Sequence, residues 1–321
     1  AVSDVVKAGW LSMGEKIQEF ESSFSRFLGQ DIFCSAVTNC TAALHLSLLA
    51  LGVKKGDEVI IPALTFVANA NVVNIVGATP VIADCKSTDD WNISIKSLEA
   101  KITPRTKAII VVHYAGYPCS DISKIAQLCK SRKIGLIEDV AHAPGAFVSN
   151  KACGVWGDIG CFSFFSNKNL SIGEGGMVST SDPELNDKIR FLRSHGMTSL
   201  TLDRHKGRSI SYDVARPGLN YRMDEIRASL GLVQLAKLKE GNQKRRILTE
   251  RYRSNLNKSS IAIPFANQPV NSSSAYHILP VLLPDDTDRV SIIKALKEEG
   301  IQSSIHYPPF WNFSAYTGQF S

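Results

Sequence analysis

Up to about residue 200, short apolar runs alternate with stretches whose apolar residues recur every three or four positions. The runs are Glu58–Ile61, Pro80–Ala83, Ala108–Val112, Ile134–Ile137, Gly160–Phe164 and Met177–Ser179. Helical spacing marks Thr41–Leu51, Phe66–Val76, Asp121–Ser131 and Glu184–Arg193. Strands that are apolar at consecutive positions are buried on both faces, so the pattern predicts a mostly parallel sheet with helices on each side. Ligands of such sheets bind at the carboxyl ends of the strands. Residues Ser199 to Gly218 break the pattern: they are polar, lack periodicity and carry His205, Lys206 and Arg208. A loop this long points to function or disorder. From Arg222 to about Leu256 one or two long helices are predicted. After Pro264 a smaller α/β region follows, with strands over His277–Leu283 and Gly300–His306 and a helix over Asp288–Glu299.

The chain has 321 residues, more than one core usually serves, so a large domain over 1–240 and a small C-terminal domain over 241–321 are expected. With 44% apolar and 21% charged residues it reads as an ordinary globular protein without a membrane-spanning stretch. Ala1 to Leu11 lacks the pattern of a secretory signal, and the missing initiator Met reads as a trimmed or processed start. The seven Cys contain no CxxC pair, which argues against a disulfide framework or a zinc site and fits a reducing cytoplasm. The formal charge of +6 is diffuse, with no basic block that would suit nucleic acid.

Three segments carry candidate chemistry. Ile134–Ile137 runs into Glu138-Asp139-Val-Ala-His142, placing acids at the end of a buried strand, where a carboxylate is costly unless it meets a cation. Taken alone, such a pair reads more simply as a loop or capping carboxylate. Gly160–Phe164 leads to Lys168 and then to the turn Gly173-Glu-Gly-Gly, a partly desolvated setting that suits a Schiff-base lysine. These glycines are not a dinucleotide fingerprint, because position 178 is Val. Thr38-Asn39-Cys40-Thr41-Ala42 opens a helix whose N-terminus offers an anion site, although an N-cap on a core helix is the commoner meaning. His113 and Tyr114 end another strand, with pocket-lining and purely structural roles both open.

Taken in order, Gly14-x5-Phe20-Glu21, Thr41-Ala-Ala-Leu-His-Leu, Gly56-Asp-Glu-Val-Ile, Glu138-Asp139-x-Ala-His142, Ser163-Phe-x3-Lys168-Asn, Gly173-Glu-Gly-Gly, His195-Gly, Gly218-Leu-Asn220-Tyr-Arg222-Met and His306-Tyr-Pro resemble the DegT/DnrJ/EryC1/StrS sugar aminotransferases. The resemblance implies an aspartate-aminotransferase-like (type I) pyridoxal phosphate (PLP) fold. It implies amino transfer from an amino acid, by analogy glutamate, to a nucleotide-linked keto sugar, with a keto-cyclitol acceptor or a non-catalytic sensor as alternatives. Lys168 would hold the cofactor covalently and Asp139 would pair with its pyridine nitrogen. His142 would lie near the phenolic oxygen and Phe66 would stack on the ring. Ser163 and the amides of Thr41 and Ala42 would cradle the phosphate. Asn220 would reach it from the neighbouring subunit, which implies a homodimer with shared active sites. Lys206, Arg208, His306 and Tyr307 are the substrate-side candidates. Cys40 stands where many members have Gly, a change that strains the backbone if the position needs positive φ. Relatives continue beyond His306-Tyr-Pro, so a C-terminal piece is expected to be missing.

Overall fold

A computed structural model describes residues 1–198, 211 and 213–319. Seven strands form one sheet in the order β1-β9-β8-β5-β4-β2-β3. They are β1 (Phe33–Val37), β2 (Glu58–Pro62), β3 (Thr79–Ala83), β4 (Thr106–Val112), β5 (Gly135–Asp139), β8 (Ile159–Ser163) and β9 (Gly176–Thr180). Neighbours from β8 to β3 run parallel, and β9 lies antiparallel between β1 and β8. A small sheet joins β6 (Phe147–Val148), β7 (Lys151–Ala152) and β10 (Ser272–Ser273). No helix among the described residues is long and apolar enough to cross a membrane.

The six apolar runs all become strands, and β4 shows why. Ala108 and Ile110 pack into one core, Ile109 and Val111 into another. Alternate side chains serve opposite faces, so consecutive positions must be apolar. The first core holds α3 (Cys40–Ala50) and α4 (Ala68–Ile75), and the second holds α6 (Ile122–Arg132). A third joins α2 (Glu15–Leu28) to β8 and to the start of the long helix α8 (Glu225–Leu256).

Two buried carboxylates tie these layers together. Glu225, in the first turn of α8, accepts the amides of Gly14, Lys16 and Ile17, each at 2.9 Å, and so caps the N-terminus of α2. Glu21 of α2 accepts the Ala36 amide of β1 at 2.8 Å and the Arg193 guanidinium at 2.6 Å. Arg193 is 0% exposed and also donates to the Ala36 carbonyl, so one ion pair fastens a helix, a strand and the end of α7 (Pro183–Leu192).

The C-terminal region differs from the pattern read in the sequence. The predicted helix forms as α9 (Arg289–Glu298), with the Asp288 side chain accepting the Val290 amide at 3.0 Å. Neither predicted strand does. His277–Leu283 contains Pro280, which has no N–H for a ladder, and its start is pinned elsewhere: the His277 amide donates to the Ala115 carbonyl at 3.0 Å. Only Leu282 is bridged, to Ala262. Gly300–His306 has two apolar residues in seven, too few to bury a face, and residues 302–305 are exposed. The boundary expected at 240 falls inside α8.

Glu21→Ala leaves Arg193 buried without its counter-charge. It should cost about 3–5 kcal/mol in denaturant unfolding, and a loss below about 1 kcal/mol would contradict this account of the core.

Candidate active site

The carboxyl edge of the sheet gathers the chemistry. Asp139 ends β5 opposite Val112 of β4 and Cys161 of β8. Ser163 ends β8 and Val37 ends β1, both opposite Gly176. The chain turns from β1 through Asn39 into α3, whose N-terminus lies against Gly176. A Cβ there would come within 2.6 Å of the Asn39 carbonyl carbon, so only glycine lets the helix start sit so close to the strand. The Asn39 side chain caps α3 by accepting the Ala42 amide at 2.8 Å. The earlier amides of Cys40 and Thr41 have no acceptor within the helix. Cys40 is helical and is not among the positive-φ residues, so no strain follows from a side chain at this position.

Asp139 is 6% exposed. One oxygen accepts the Asn69 side-chain N–H at 2.9 Å and the other the Ala141 amide at 3.0 Å. Burial raises its carboxyl above the ordinary range, while the Ala141 amide, Asn69 and nearby Lys168 pull the other way. Neighbouring Glu138 is structural: it accepts the amides of Gly154, Trp156 and Gly157 and pairs with His113 at 2.8 Å. The Nδ1 of His113 accepts the Cys119 amide at 3.0 Å, so this imidazole is bonded at both nitrogens and holds the strand ends.

Lys168 lies on the loop between β8 and β9, which returns on itself through the Ile172 amide to Phe164 carbonyl bond at 2.9 Å. The side chain is half-buried. Burial lowers its pKa, and Asp139 opposes the shift, so the neutral, nucleophilic amine is favoured relative to a surface lysine.

His142 faces Lys168 from the turn after β5. Its Nδ1 accepts the Ala115 amide at 3.2 Å, so the neutral ring carries its proton on Nε2, 2.9 Å from the Tyr307 hydroxyl. Ala115 has a left-handed backbone, φ 56°, which turns its amide toward this ring. Burial and the charge of Lys168 hold His142 well below the usual histidine range. Tyr307 packs on Phe66 with ring centroids 5.5 Å apart, and His306 lies beside His142. Phe66 precedes α4 and is 54% exposed, so it is not a core helix residue.

Lys168, Asp139, His142, Ser163, Thr41, Ala42, Phe66, His306 and Tyr307 thus sit around one end of the sheet. Asn220 is exposed beside Tyr221, whose carbonyl accepts the Thr38 amide at 3.0 Å next to the start of α3. Lys206 and Arg208 lie outside the described residues. The motifs did not bring out Thr65 and Asn69. Asn69 donates to Thr65 at 2.7 Å as well as to Asp139, and the signal was available as two polar residues four apart at the start of an apolar helix.

The whole chain, residues 1–321, matches the DegT/DnrJ/EryC1/StrS aminotransferase family. It is 39% identical over 326 residues to the spore coat polysaccharide biosynthesis protein SpsC of Bacillus subtilis, covering 99% of this chain and 82% of that protein. The aminotransferase TlmJ from Streptoalloteichus hindustanus superposes with a TM-score of 0.90 at 35% identity, covering 98% of this chain and 83% of that one. The putative sugar aminotransferase Spr1654 from Streptococcus pneumoniae, solved in PLP and PMP forms, does so in its PMP form with a TM-score of 0.90 at 32% identity, covering 98% and 84%. The chain therefore belongs to the DegT/DnrJ/EryC1/StrS aminotransferase family.

Proposed function

We propose that this family member is a PLP-dependent sugar aminotransferase that takes the amino group of an amino acid, glutamate, and delivers it to a nucleotide-linked keto sugar. The observation that carries the reading is a buried carboxylate and a half-buried lysine at the carboxyl end of the sheet, near enough to shift each other's proton affinity. Burial penalises the Asp139 carboxylate more than the Ala141 amide, Asn69 and the nearby charge of Lys168 relieve it. It therefore fits a cationic ring nitrogen. The relatives support the sugar substrate: Spr1654 is described as a putative sugar aminotransferase and SpsC as a polysaccharide biosynthesis protein.

When bound, the cofactor supplies an electron-withdrawing ring for chemistry at the donor's α-carbon. Lys168 would hold it covalently, and its freed amine would take and return the proton at the donor's α-carbon. Asp139 would accept the hydrogen bond of the ring nitrogen and keep it charged. His142, whose Nε2–H meets the Tyr307 hydroxyl, would lie near the phenolic oxygen, and Phe66 would stack on the ring. Ser163 and the amides of Thr41 and Ala42 would hold the phosphate at the start of α3, where it would compete with Asn39 for the Ala42 amide. Asn220 would join them from a second subunit of a homodimer. Lys206 and Arg208 would contact the sugar's diphosphate, and His306 and Tyr307 would line the substrate side.

Incubating the protein with glutamate and a panel of nucleotide-linked keto sugars, with mass spectrometry of the products, tests this reading. An amino sugar should form, and Lys168→Ala should slow its formation by at least about a thousandfold. A protein that binds PLP but transfers nitrogen from no amino acid would refute the activity. Replacing Lys206 and Arg208 with Ala should raise the sugar KM about tenfold with little change in kcat. Unchanged kinetics would remove the loop from the substrate site.

The imidazoles also set an acid limit. Burial, reinforced by the charges of Lys168, Arg245 and His306, lowers the pKa of His277 to about 3, against about 6.5 in the unfolded chain. Between these values the unfolded chain binds the extra proton, so stability rises with pH across the window. The contribution is complete above about pH 6.5 and is lost as pH falls toward about 3, by up to about 1 kcal/mol per pH unit for one half-buried ring. Unfolding midpoints measured across this window should fall less steeply for His277→Asn than for the natural protein, and identical slopes would contradict the assignment.

A further inference from the structure

Asn169 follows Lys168 directly, and its carboxamide is fully engaged. Its Nδ2 donates to the Asn242 Oδ1 and to the Ala275 carbonyl, both at 2.7 Å. A carbonyl only accepts, so the amide orientation of Asn169 is forced and its Oδ1 must accept. The Nδ1 of His277 lies 2.9 Å from that oxygen, so His277 carries its proton on Nδ1. Asn242 is oriented by the same logic: its Nδ2 donates to the Pro144 carbonyl at 2.9 Å, which leaves its Oδ1 for Asn169. Gly145 makes room for this contact, since a Cβ there would meet the Asn242 Nδ2 at 2.9 Å. Through Asn242, one residue of α8 therefore holds both the turn that follows Asp139 and His142 and the loop that carries Lys168. Through His277, the C-terminal segment is joined to the same point, and its ring packs on His142 at 4.5 Å.

We propose that Asn169 is a positioning residue for Lys168, locked by Asn242, Ala275 and the Nδ1–H of His277, so that the lysine loop and the C-terminal segment move as one piece. The inference rests on Lys168 being the cofactor-bonding residue. The groups facing Lys168 are Asp139 at the end of β5, Cys40 at the start of α3, and the imidazoles of His142, His277 and His306. All depend on the loop keeping its amine inside the site. A released loop lets the amine into water, where its pKa returns toward about 10.4 and less of it is neutral at a given pH.

The test follows covalent loading of the full chain, stripped of cofactor, by added PLP. Absorbance gives the rate as a function of pH, alongside circular dichroism and melting temperature. Asn169→Ala and His277→Ala should load about 10- to 100-fold more slowly at neutral pH, with the midpoint of the pH–rate profile moved upward. His277→Asn places an amide N–H near the Nδ1 position and should restore both rate and midpoint. General destabilisation would lower the folded fraction without this upward shift or the asparagine rescue. Natural rates and midpoints in folded Asn169→Ala and His277→Ala overturn the proposal, as does a His277→Asn variant no better than His277→Ala. If Asn169→Ala does not fold, the two His277 variants decide, because both leave the lysine loop intact. If the natural chain takes up no PLP at Lys168, the proposed function fails as well, an outcome distinct from loading that ignores Asn169.

Discussion

Asp139 is an acid at the end of a strand that has side chains packed on both faces, and little of it is open to water that could solvate the charge. Leaving a carboxylate in such a place costs several kcal/mol unless donors surround it or a cation pairs with it. Two donors, from Asn69 and Ala141, are present, and they only partly offset the burial that raises its pKa. Much of the sheet edge is organised around this point. α4 begins where Asn69 can reach the carboxylate, α3 brings its N-terminus against Gly176 on a neighbouring strand, and the Lys168 loop folds back over the same edge. Under the proposed function, a cationic ring nitrogen would supply the positive charge this carboxylate lacks.

The same device recurs away from the site. Glu225 caps α2, Glu21 neutralises Arg193, and Glu138 collects three amides and an imidazole. Each buried carboxylate fastens two or more elements, so the chemistry at Asp139 stands on a frame whose layers are locked by charge as well as by apolar packing. Helix α8 extends this frame. Its first turn sets α2, and Asn242, further along, ties the loops on either side of the candidate cofactor position.

The sheet was legible because burial on both faces leaves an unmistakable run of apolar residues, as in Ala108–Val112. Strand β1, Phe33–Val37, was not read as a strand: Ser35 interrupts its apolar run, and in the fold that serine is buried by bonding to Asn186. The C-terminal strands failed for the opposite reason. His277–Leu283 looks apolar, but Pro280 and the pinning of its start to Ala115 deny it a ladder. Asp139, Lys168 and Ser163 were visible as motifs because strand ends announce themselves. Asn169, Asn242 and His277 were not, because hydrogen-bond partners 73 to 108 residues apart leave no local signature. The tautomers of His142 and His277 likewise depend on backbone amides and carbonyls that only folding brings into place.

The central claim is that Lys168 is the residue bonded to the cofactor, and borohydride reduction of the PLP-loaded protein followed by peptide mass mapping tests it most directly. The account predicts a stable cofactor mass on the peptide containing Lys168, with Lys168→Ala carrying none. A reduced adduct on any other lysine, or none at all in a protein that holds PLP, would contradict it.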